Sequence, residues 1–337
     1  MKRLSLVISA YNEESGIERF YEVVRGCCEA LRERGWDYEL LFVDDGSADR
    51  TGEKLRGLAA RDRMHVRLLR LSRNFGHEAA MTAGLDYASG DALVFLDADL
   101  QHPPRYLAEI CERLDAGYEV ISMVRTANRS AGVLKNISSA GFYWLINRLS
   151  DVHFQPNASD FFAISRRVQG ILRQSYREKV RFLRGYVQNV GFRRTVIEYE
   201  AAERVAGESH YSLRKLLVFS LNTIMCFSNM PLKLGIFAGA LSGLLGLVVL
   251  AYTLCTRCGA PSGYATIVVL NCFMFAVLFF VVGIIGEYIS VLFTEMKDCP
   301  IYLVEEERNF EEEKDDSSLR ESRRTQTSSV PDHFAVS

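Results

Sequence analysis

The chain has 337 residues, 48% of them hydrophobic, and a formal net charge of −2. This length suits about two domains, and the balanced charge lacks the basic excess of nucleic-acid-binding proteins, so no nucleic acid partner is expected. The first residues, Met1-Lys2-Arg3, lead directly into a short strand pattern, so no signal peptide is predicted.

Short apolar runs alternate with helical patterns through the first 125 residues. They predict strands over residues 4–9, 38–43, 66–71 and 119–124, with helices over residues 14–34, 49–61, 77–89 and 105–116. This alternation is typical of an α/β fold in which a parallel sheet carries helices on both faces. Polar clusters follow the strands and therefore meet at one edge, where such sheets bind ligands. No GxGxxG follows the first strand, which argues against a dinucleotide site of the usual Rossmann type.

One further strand begins at Ala92 and ends in an Asp-x-Asp pattern, Asp97 and Asp99. The following prolines, Pro103 and Pro104, cannot extend a ladder, so the strand is predicted to stop there. Alternation along the strand directs both carboxylates to the same side. Paired carboxylates suit Mg²⁺ or Mn²⁺ held jointly with substrate phosphates. The alternative is that both residues only cap a turn or the next helix.

The middle of the chain predicts a helix over residues 131–150, a loop entering a short strand at 157–164, and a helix at 167–175. An edge strand at 196–199 and a polar loop at 201–211 follow. The predicted globular domain therefore covers residues 1–210.

The C-terminal part predicts membrane association. Residues 211–230 form an amphipathic pattern expected to lie on a bilayer surface, and residues 231–256 and 263–293 are apolar runs long enough to span one. A buried two-helix core is the alternative. Basic residues flank the open side of this hairpin at Arg214, Lys215, Lys233 and Lys297, and the loop has one, Arg257. This distribution predicts that the globular domain and the tail lie in the cytoplasm. Residues 304–337 are charge-dense and predicted to be a disordered acidic tail.

Four motifs follow one another as in family-2 glycosyltransferases, and the chain resembles that family. They are Val7-Ile8-Ser9-Ala10-Tyr11-Asn12-Glu13-Glu14, Val43-Asp44-Asp45-Gly46-Ser47-Ala48-Asp49, Arg73-Asn74-Phe75-Gly76 and Asp97-Ala98-Asp99-Leu100-Gln101. Over residues 3–303 the chain is similar to the polyprenyl-phosphate glycosyltransferases: the dolichol-phosphate mannose synthases and, more closely, the bacterial bactoprenol glucosyltransferases. The resemblance implies a GT-A catalytic domain followed by a pair of membrane helices.

The resemblance also implies roles for individual residues. Those matching the nucleotide-sugar site are Ser9, Tyr11, Glu13, Val43, Asp45, Asp97, Ala98, Arg125, Arg204 and His210. Asp97, Asp99 and Gln101 match the Mg²⁺ or Mn²⁺ site. Asp160 matches the proposed base, and Asp99 and Arg204 complete the catalytic set. Residues expected to hold the lipid phosphate are Arg125, Arg129 and Lys135.

The chain departs from the family pattern at a few positions. Ser9 stands where many relatives have proline, and His102 and Arg105 replace a common Asp and a common Glu. His210 stands where a Lys or other base often follows Gly-Glu-Ser, so a phosphate contact there would depend on pH. The Gln-x-x-Arg-Trp motif of processive synthases is absent, which argues against polymerisation.

The implied reaction is inverting transfer of a hexose to polyprenyl (undecaprenyl) phosphate, for glycan or O-antigen modification. UDP-glucose is the favoured donor, while GDP-mannose, UDP-GlcNAc and aminosugar nucleotides stay open. A non-catalytic membrane scaffold and a transporter are the rival functions. The intact acidic residues argue against a scaffold, and two spans without charge pairs argue against a pore. Hairpins packed into a dimer or tetramer are a further hypothesis.

Overall fold

The computed structural model describes residues 1–126, 158–179, 181–200, 230–255 and 263–310. Its strands are β1 (Lys2–Ala10), β2 (Trp36–Asp44), β3 (Val66–Leu71), β4 (Ala92–Asp97), β5 (Val120–Arg125), β6 (Ala158–Ser165), β7 (Arg194–Tyr199) and β8 (Val304–Arg308). Its α-helices are α1 (Ile17–Arg32), α2 (Thr51–Arg61), α3 (His77–Tyr87), α4 (Leu107–Asp115), α5 (Arg166–Ser175), α6 (Leu183–Asn189), α7 (Met230–Cys255) and α8 (Tyr264–Met296), with a 3₁₀ turn at Pro104–Tyr106.

The strands form a single sheet in the order β7-β5-β6-β4-β1-β2-β3-β8. Strand β1 lies parallel to both β2 and β4, β2 is parallel to β3, and β5 is parallel to β7. Strands β6 and β8 run antiparallel to their neighbours. The carboxyl ends of β1 to β5 therefore meet at one edge of the sheet, as the sequence predicts.

Two apolar cores cover the two faces of this sheet. One contains Phe20 of α1, Leu55 of α2 and Ile110 of α4, all completely buried. The other contains Ala80 of α3, Val168 of α5 and Leu183 of α6. Strands β1 and β4 are covered on both sides, and from Leu4 to Ala10 and from Ala92 to Leu96 every residue is buried, as expected for central parallel strands. This arrangement confirms the predicted α/β fold.

Helices α7 and α8 form the predicted hairpin. Its helices pack closely at Gly235, where an added Cβ would lie 3.5 Å from a Val281 methyl carbon. Within the described residues, Phe273–Met296 is long and apolar enough to cross a membrane, and Gly235–Val248 is a shorter apolar stretch. Large apolar side chains on both helices are exposed, including Phe279 at 70% and Phe237 at 67%.

The prediction that disorder begins at residue 304 is wrong for the first residues of that range. Val304–Arg308 forms β8, which pairs antiparallel with the outer edge of β3. Acidic side chains hold it there: Glu306 contacts Arg56 at 3.1 Å, and Glu307 accepts a 2.8 Å hydrogen bond from Tyr87. The side-chain amide of Asn309 then donates to the Ala59 and Val66 carbonyls at 2.7 and 2.8 Å. Residues 311–337 lie outside the described part of the chain.

Two further differences concern the middle of the chain. Strand β4 ends at Asp97 and does not continue to the prolines, because Leu100 adopts a φ of +61° and the backbone turns. The seven-residue helix α6 was not predicted, since it is short and contains Gly185. The helix expected at 131–150, the loop at 201–211 and the amphipathic segment ending at residue 230 lie outside the described residues, apart from Met230 itself.

Candidate active site

A cavity of about 340 Å³ opens at the edge where the parallel strands end. Among the predicted site residues, eight line it: Ser9, Tyr11, Glu13, Asp45, Asp97, Ala98, Asp99 and Asp160. Tyr11 is 46% exposed at its rim, an orientation suited to packing on a flat base. A second cavity of about 220 Å³ adjoins it and shares Glu13, Ala98 and Asp99. The site is large enough for a small organic ligand.

The Asp44-Asp45-Gly46-Ser47 turn shapes one wall of the cavity. Asp44 is fully buried and accepts the Ser47 backbone N–H at 2.9 Å, so it has a structural role in the turn. Asp45 accepts the backbone N–H groups of Phe75 and Gly76 at 2.7 and 2.9 Å. Burial raises the pKa of Asp45, and these two donors offset the shift only in part. Asp45 therefore anchors a neighbouring loop in addition to facing the cavity.

The end of β4 places two carboxylates in the cavity. Asp97 accepts a 2.9 Å hydrogen bond from the Ser9 hydroxyl, and Asp99 accepts the Gln101 backbone N–H at 3.0 Å. The backbone N–H of Asp97 donates to the buried His102 ring at 3.1 Å. The His102 ring thus acts as the acceptor for this N–H. Its ring stacks on Phe161 at a centroid distance of 5.3 Å.

This donor set fits a divalent cation only in part. Asp97 and Asp99 offer the hard oxygen ligands that Mg²⁺ and Mn²⁺ prefer, and both border the same cavity. Within the described part of the chain, no group of three or more acidic, His or Cys side chains could hold a metal ion by itself. An ion held here would therefore take its remaining ligands from a substrate phosphate and water.

The remaining predicted residues are not among those that line the cavity. Gln101 accepts a 2.9 Å hydrogen bond from the Arg125 guanidinium through its side-chain oxygen, so each orients the other. Val43 is completely buried in β2 and does not line the cavity. Arg129, Lys135, Arg204 and His210 lie outside the described residues, and their predicted roles stay predictions.

Asp160, on β6, faces two basic side chains, His77 and Arg184. The His77 Nε2 atom lies 3.9 Å from one carboxylate oxygen, and the Arg184 guanidinium lies 3.4 Å from the other. From the sequence, His77 was predicted only to begin a helix, and no role was predicted for Arg184. No local signal reveals either contact, because α3, β6 and α6 are far apart in the chain. The sequence offered only a weak indication that these residues are functional, namely that each is a basic residue next to an apolar helical pattern.

His77 also contacts Asp97. Its Nδ1 atom lies 3.1 Å from the Ser9 hydroxyl and 3.6 Å from Asp97. Burial acts to lower the pKa of His77, but the Asp97 and Asp160 carboxylates outweigh it, so the net shift is upward. His77 therefore links the β4 end to the Asp160 side of the cavity.

Glu78 follows His77 and supports the same region. Its carboxylate accepts the Leu183 backbone N–H at 2.8 Å at the start of α6. Burial raises the pKa of Glu78 to about 7, with a further contribution from the Asp160 carboxylate. This contact joins α3 to α6 directly before Arg184.

Two family models match successive parts of the chain. Residues 5–170 match Glycosyl transferase family 2, and residues 230–292 match the GtrB C-terminal hairpin. The first range contains the whole lining of both cavities. The second contains most of α7 and α8.

Similar proteins match along almost the whole chain. The uncharacterized glycosyltransferase YkcC of Bacillus subtilis is 38% identical over 91% of this chain and 94% of its own length. The bactoprenol glucosyl transferase of Shigella phage SfV is 35% identical over 91% of this chain and 99% of its own. A solved glucosyl-3-phosphoglycerate synthase from Mycobacterium tuberculosis has a TM-score of 0.44 and 22% identity, covering 66% of this chain and 78% of its own. The chain belongs to glycosyltransferase family 2 and is a glycosyltransferase.

Proposed function

We propose that the chain transfers a hexose from a nucleotide-sugar to polyprenyl phosphate, with UDP-glucose as donor and inversion at the anomeric carbon. The observation that carries this proposal is the meeting of Asp97, Asp99 and Asp160 in one cavity of a chain that also has an apolar hairpin. The bactoprenol glucosyl transferases among its relatives support the lipid acceptor and the glucosyl group.

The donor would lie along the carboxyl edge of β1, β2 and β4. Tyr11 is exposed at the rim and suited to the base, while Asp97 and Asp99 face the diphosphate position. Mg²⁺ or Mn²⁺ held by these carboxylates would neutralise charge on the departing diphosphate. The Ser9 hydroxyl and the His102 ring fix Asp97 from two directions. The protein thereby keeps the carboxylate in place before the donor binds.

The acceptor would approach from the Asp160 side. An oxygen of its phosphate attacks the anomeric carbon while the bond from that carbon to the β-phosphate oxygen breaks, and nucleoside diphosphate leaves. A phosphate monoester has a second pKa of about 6, so much of the acceptor is already a dianion at neutral pH. Asp160 then mainly orients the acceptor or takes a residual proton.

The hairpin would hold the enzyme at the membrane surface, where the acceptor is found. The acceptor's hydrocarbon tail stays in the bilayer, so the open edge of the sheet must lie near the membrane surface. Helices α7 and α8 would insert in the cytoplasmic membrane, with the catalytic domain and tail on its cytoplasmic face, following the distribution of basic residues. The exposed apolar side chains of both helices support insertion.

A donor panel tests the proposal. Release of nucleoside diphosphate is measured with UDP-glucose, GDP-mannose, UDP-GlcNAc and an aminosugar nucleotide, with undecaprenyl phosphate and Mg²⁺ or Mn²⁺ in detergent. We expect release with UDP-glucose that requires both lipid and metal and is lost in Asp99→Ala. Lipid-dependent release with another donor only would overturn the glucose assignment, and no lipid-dependent release from any donor would overturn the reaction.

A further inference from the structure

Arg184 lies next to Asp160, one of the residues that line the cavity. The described lining of the larger cavity contains five carboxylates, from Glu13, Asp45, Asp97, Asp99 and Asp160, and neither Arg nor Lys. A phosphate that approaches Asp160 would be repelled unless a cation stands nearby. Arg184 supplies such a cation, with its guanidinium 3.4 Å from Asp160. Arginine stays charged at every physiological pH and holds phosphate through a planar fork of donors.

The fold holds Arg184 in this position through several contacts. Glu78 fixes the start of α6 by accepting the Leu183 backbone N–H at 2.8 Å. The Arg184 guanidinium lies 5.0 Å from the Phe182 ring centre, and Leu183 is completely buried. The Asp160 oxygen nearest Arg184 is buried and has no hydrogen-bond partner among the described residues. The Arg184 guanidinium is the donor that lies nearest to that oxygen.

The same stretch of chain touches the membrane helix. Lys179 donates its backbone N–H to the Glu295 carboxylate at 2.7 Å and its Nζ to the Glu295 carbonyl at 3.1 Å. Glu295 is near the end of the candidate span Phe273–Met296. Arg184 is five positions after Lys179, a reach along the chain of at most about 18 Å. Arg184 therefore contacts Asp160 and lies within about 18 Å of the residue that contacts the helix end.

We propose that Arg184 binds the phosphate of the lipid acceptor and holds it against Asp160. This inference rests on the proposed function and names the residue that recognises its acceptor. The two family models match residues 5–170 and 230–292, and Arg184 lies outside both ranges. The ligand it fits is a phosphate monoester carried on a membrane-bound tail.

The test compares Arg184→Met and Arg184→Lys with the wild-type full chain in detergent. Arg167→Met, an exposed arginine on α5, is the matched control. The measurements are the KM for undecaprenyl phosphate and the Kd for UDP in Mg²⁺. Losing a charge-assisted hydrogen bond is expected to raise the lipid KM of Arg184→Met about 10- to 100-fold. The Kd for UDP should stay unchanged.

Arg184→Lys should show an intermediate lipid KM, because it keeps the charge but loses the fork. It carries the test if Arg184→Met fails to fold, which circular dichroism would reveal. Wild-type transfer with an unchanged lipid KM in the folded variants would overturn this inference alone. An equal loss of donor affinity would also overturn it. Absence of lipid-dependent transfer by the wild type would overturn the proposed function and this inference together.

Discussion

At the scale of single residues, Gly46 determines how the Asp45 turn meets the neighbouring loop. Its φ is +64°, and an added Cβ would lie 2.3 Å from the Arg73 carbonyl carbon. Both the left-handed backbone and the close contact exclude any side chain. The Asp-Asp-Gly-Ser motif therefore owes its glycine to packing around the site.

We expect Gly46→Ala to lower the free energy of unfolding by about 1–3 kcal/mol, because it strains the backbone and pushes the Arg73 loop away. The matched control is Gly57→Ala, on α2, where no atom lies within 4 Å of the added Cβ. That control should be neutral or slightly stabilising. Denaturant unfolding measures both, and equal effects at the two positions would contradict this interpretation of the motif.

Glu78 makes the stability of the folded domain depend on pH. Burial raises its pKa from 4.5 to about 7, so folding favours the protonated form. The resulting stabilisation is fully present below about pH 4.5 and is lost as the pH rises through 7. Glu78→Gln removes the titration and keeps an oxygen that can accept the Leu183 N–H.

Thermal unfolding of both proteins at pH 5 and pH 8 measures this effect. Wild type should lose on the order of 1–3 kcal/mol more than Glu78→Gln over that interval. All other titrating groups are common to the two proteins, so their contributions cancel in the difference. Parallel pH dependences would show that Glu78 does not titrate in this way.

At the scale of elements, β8 is a strand that the local sequence pattern does not predict. Residues 304–308 are mostly acidic and carry little strand signal, which is why they were predicted to be disordered. Their pairing depends on Arg56 and Tyr87, which lie more than 200 positions away. Strand β3, in contrast, was predicted with its observed bounds, Val66–Leu71, because an apolar run fixes it locally.

Two truncations separate β8 from the residues that follow. Ending the chain after Leu303 exposes the edge of β3 and removes Asn309 from two backbone carbonyls. We expect a loss of more than about 2 kcal/mol in unfolding free energy and a tendency to aggregate. Ending it after Phe310 should leave thermal stability unchanged. A loss of stability in the second truncation as large as in the first would contradict the account.

The active site likewise contains residues that local sequence predicts and residues that it does not. Motifs on β1, β2 and β4 predicted seven of the residues that line the cavity, because strand ends of a parallel sheet meet at one edge. The eighth predicted lining residue, Asp160 on β6, came from the family resemblance. His77 and Arg184 could not be predicted, since their contacts with Asp160 depend on how α3 and α6 pack. Local propensity contains no information on such distant pairs.

At the scale of the whole molecule, the contact between Lys179 and Glu295 joins the catalytic domain to the apolar hairpin. Strand β8 provides a second connection, because it returns from α8 to the edge of the sheet. The two connections hold the open edge of the sheet in a defined position relative to the hairpin. Assembly of such hairpins into a dimer or tetramer stays a prediction, and mass measurement in detergent that shows only monomer would contradict it.

Formation of the lipid-linked sugar tests the central claim most directly. The full chain in detergent is given UDP-glucose labelled in the sugar, undecaprenyl phosphate and Mg²⁺ or Mn²⁺, and label in the organic phase is measured with its anomeric configuration. We predict a glucosyl lipid phosphate of inverted configuration, formed by the wild type and not by Asp99→Ala. Folded wild-type protein that transfers no label to the lipid, or a product of retained configuration, would contradict the account.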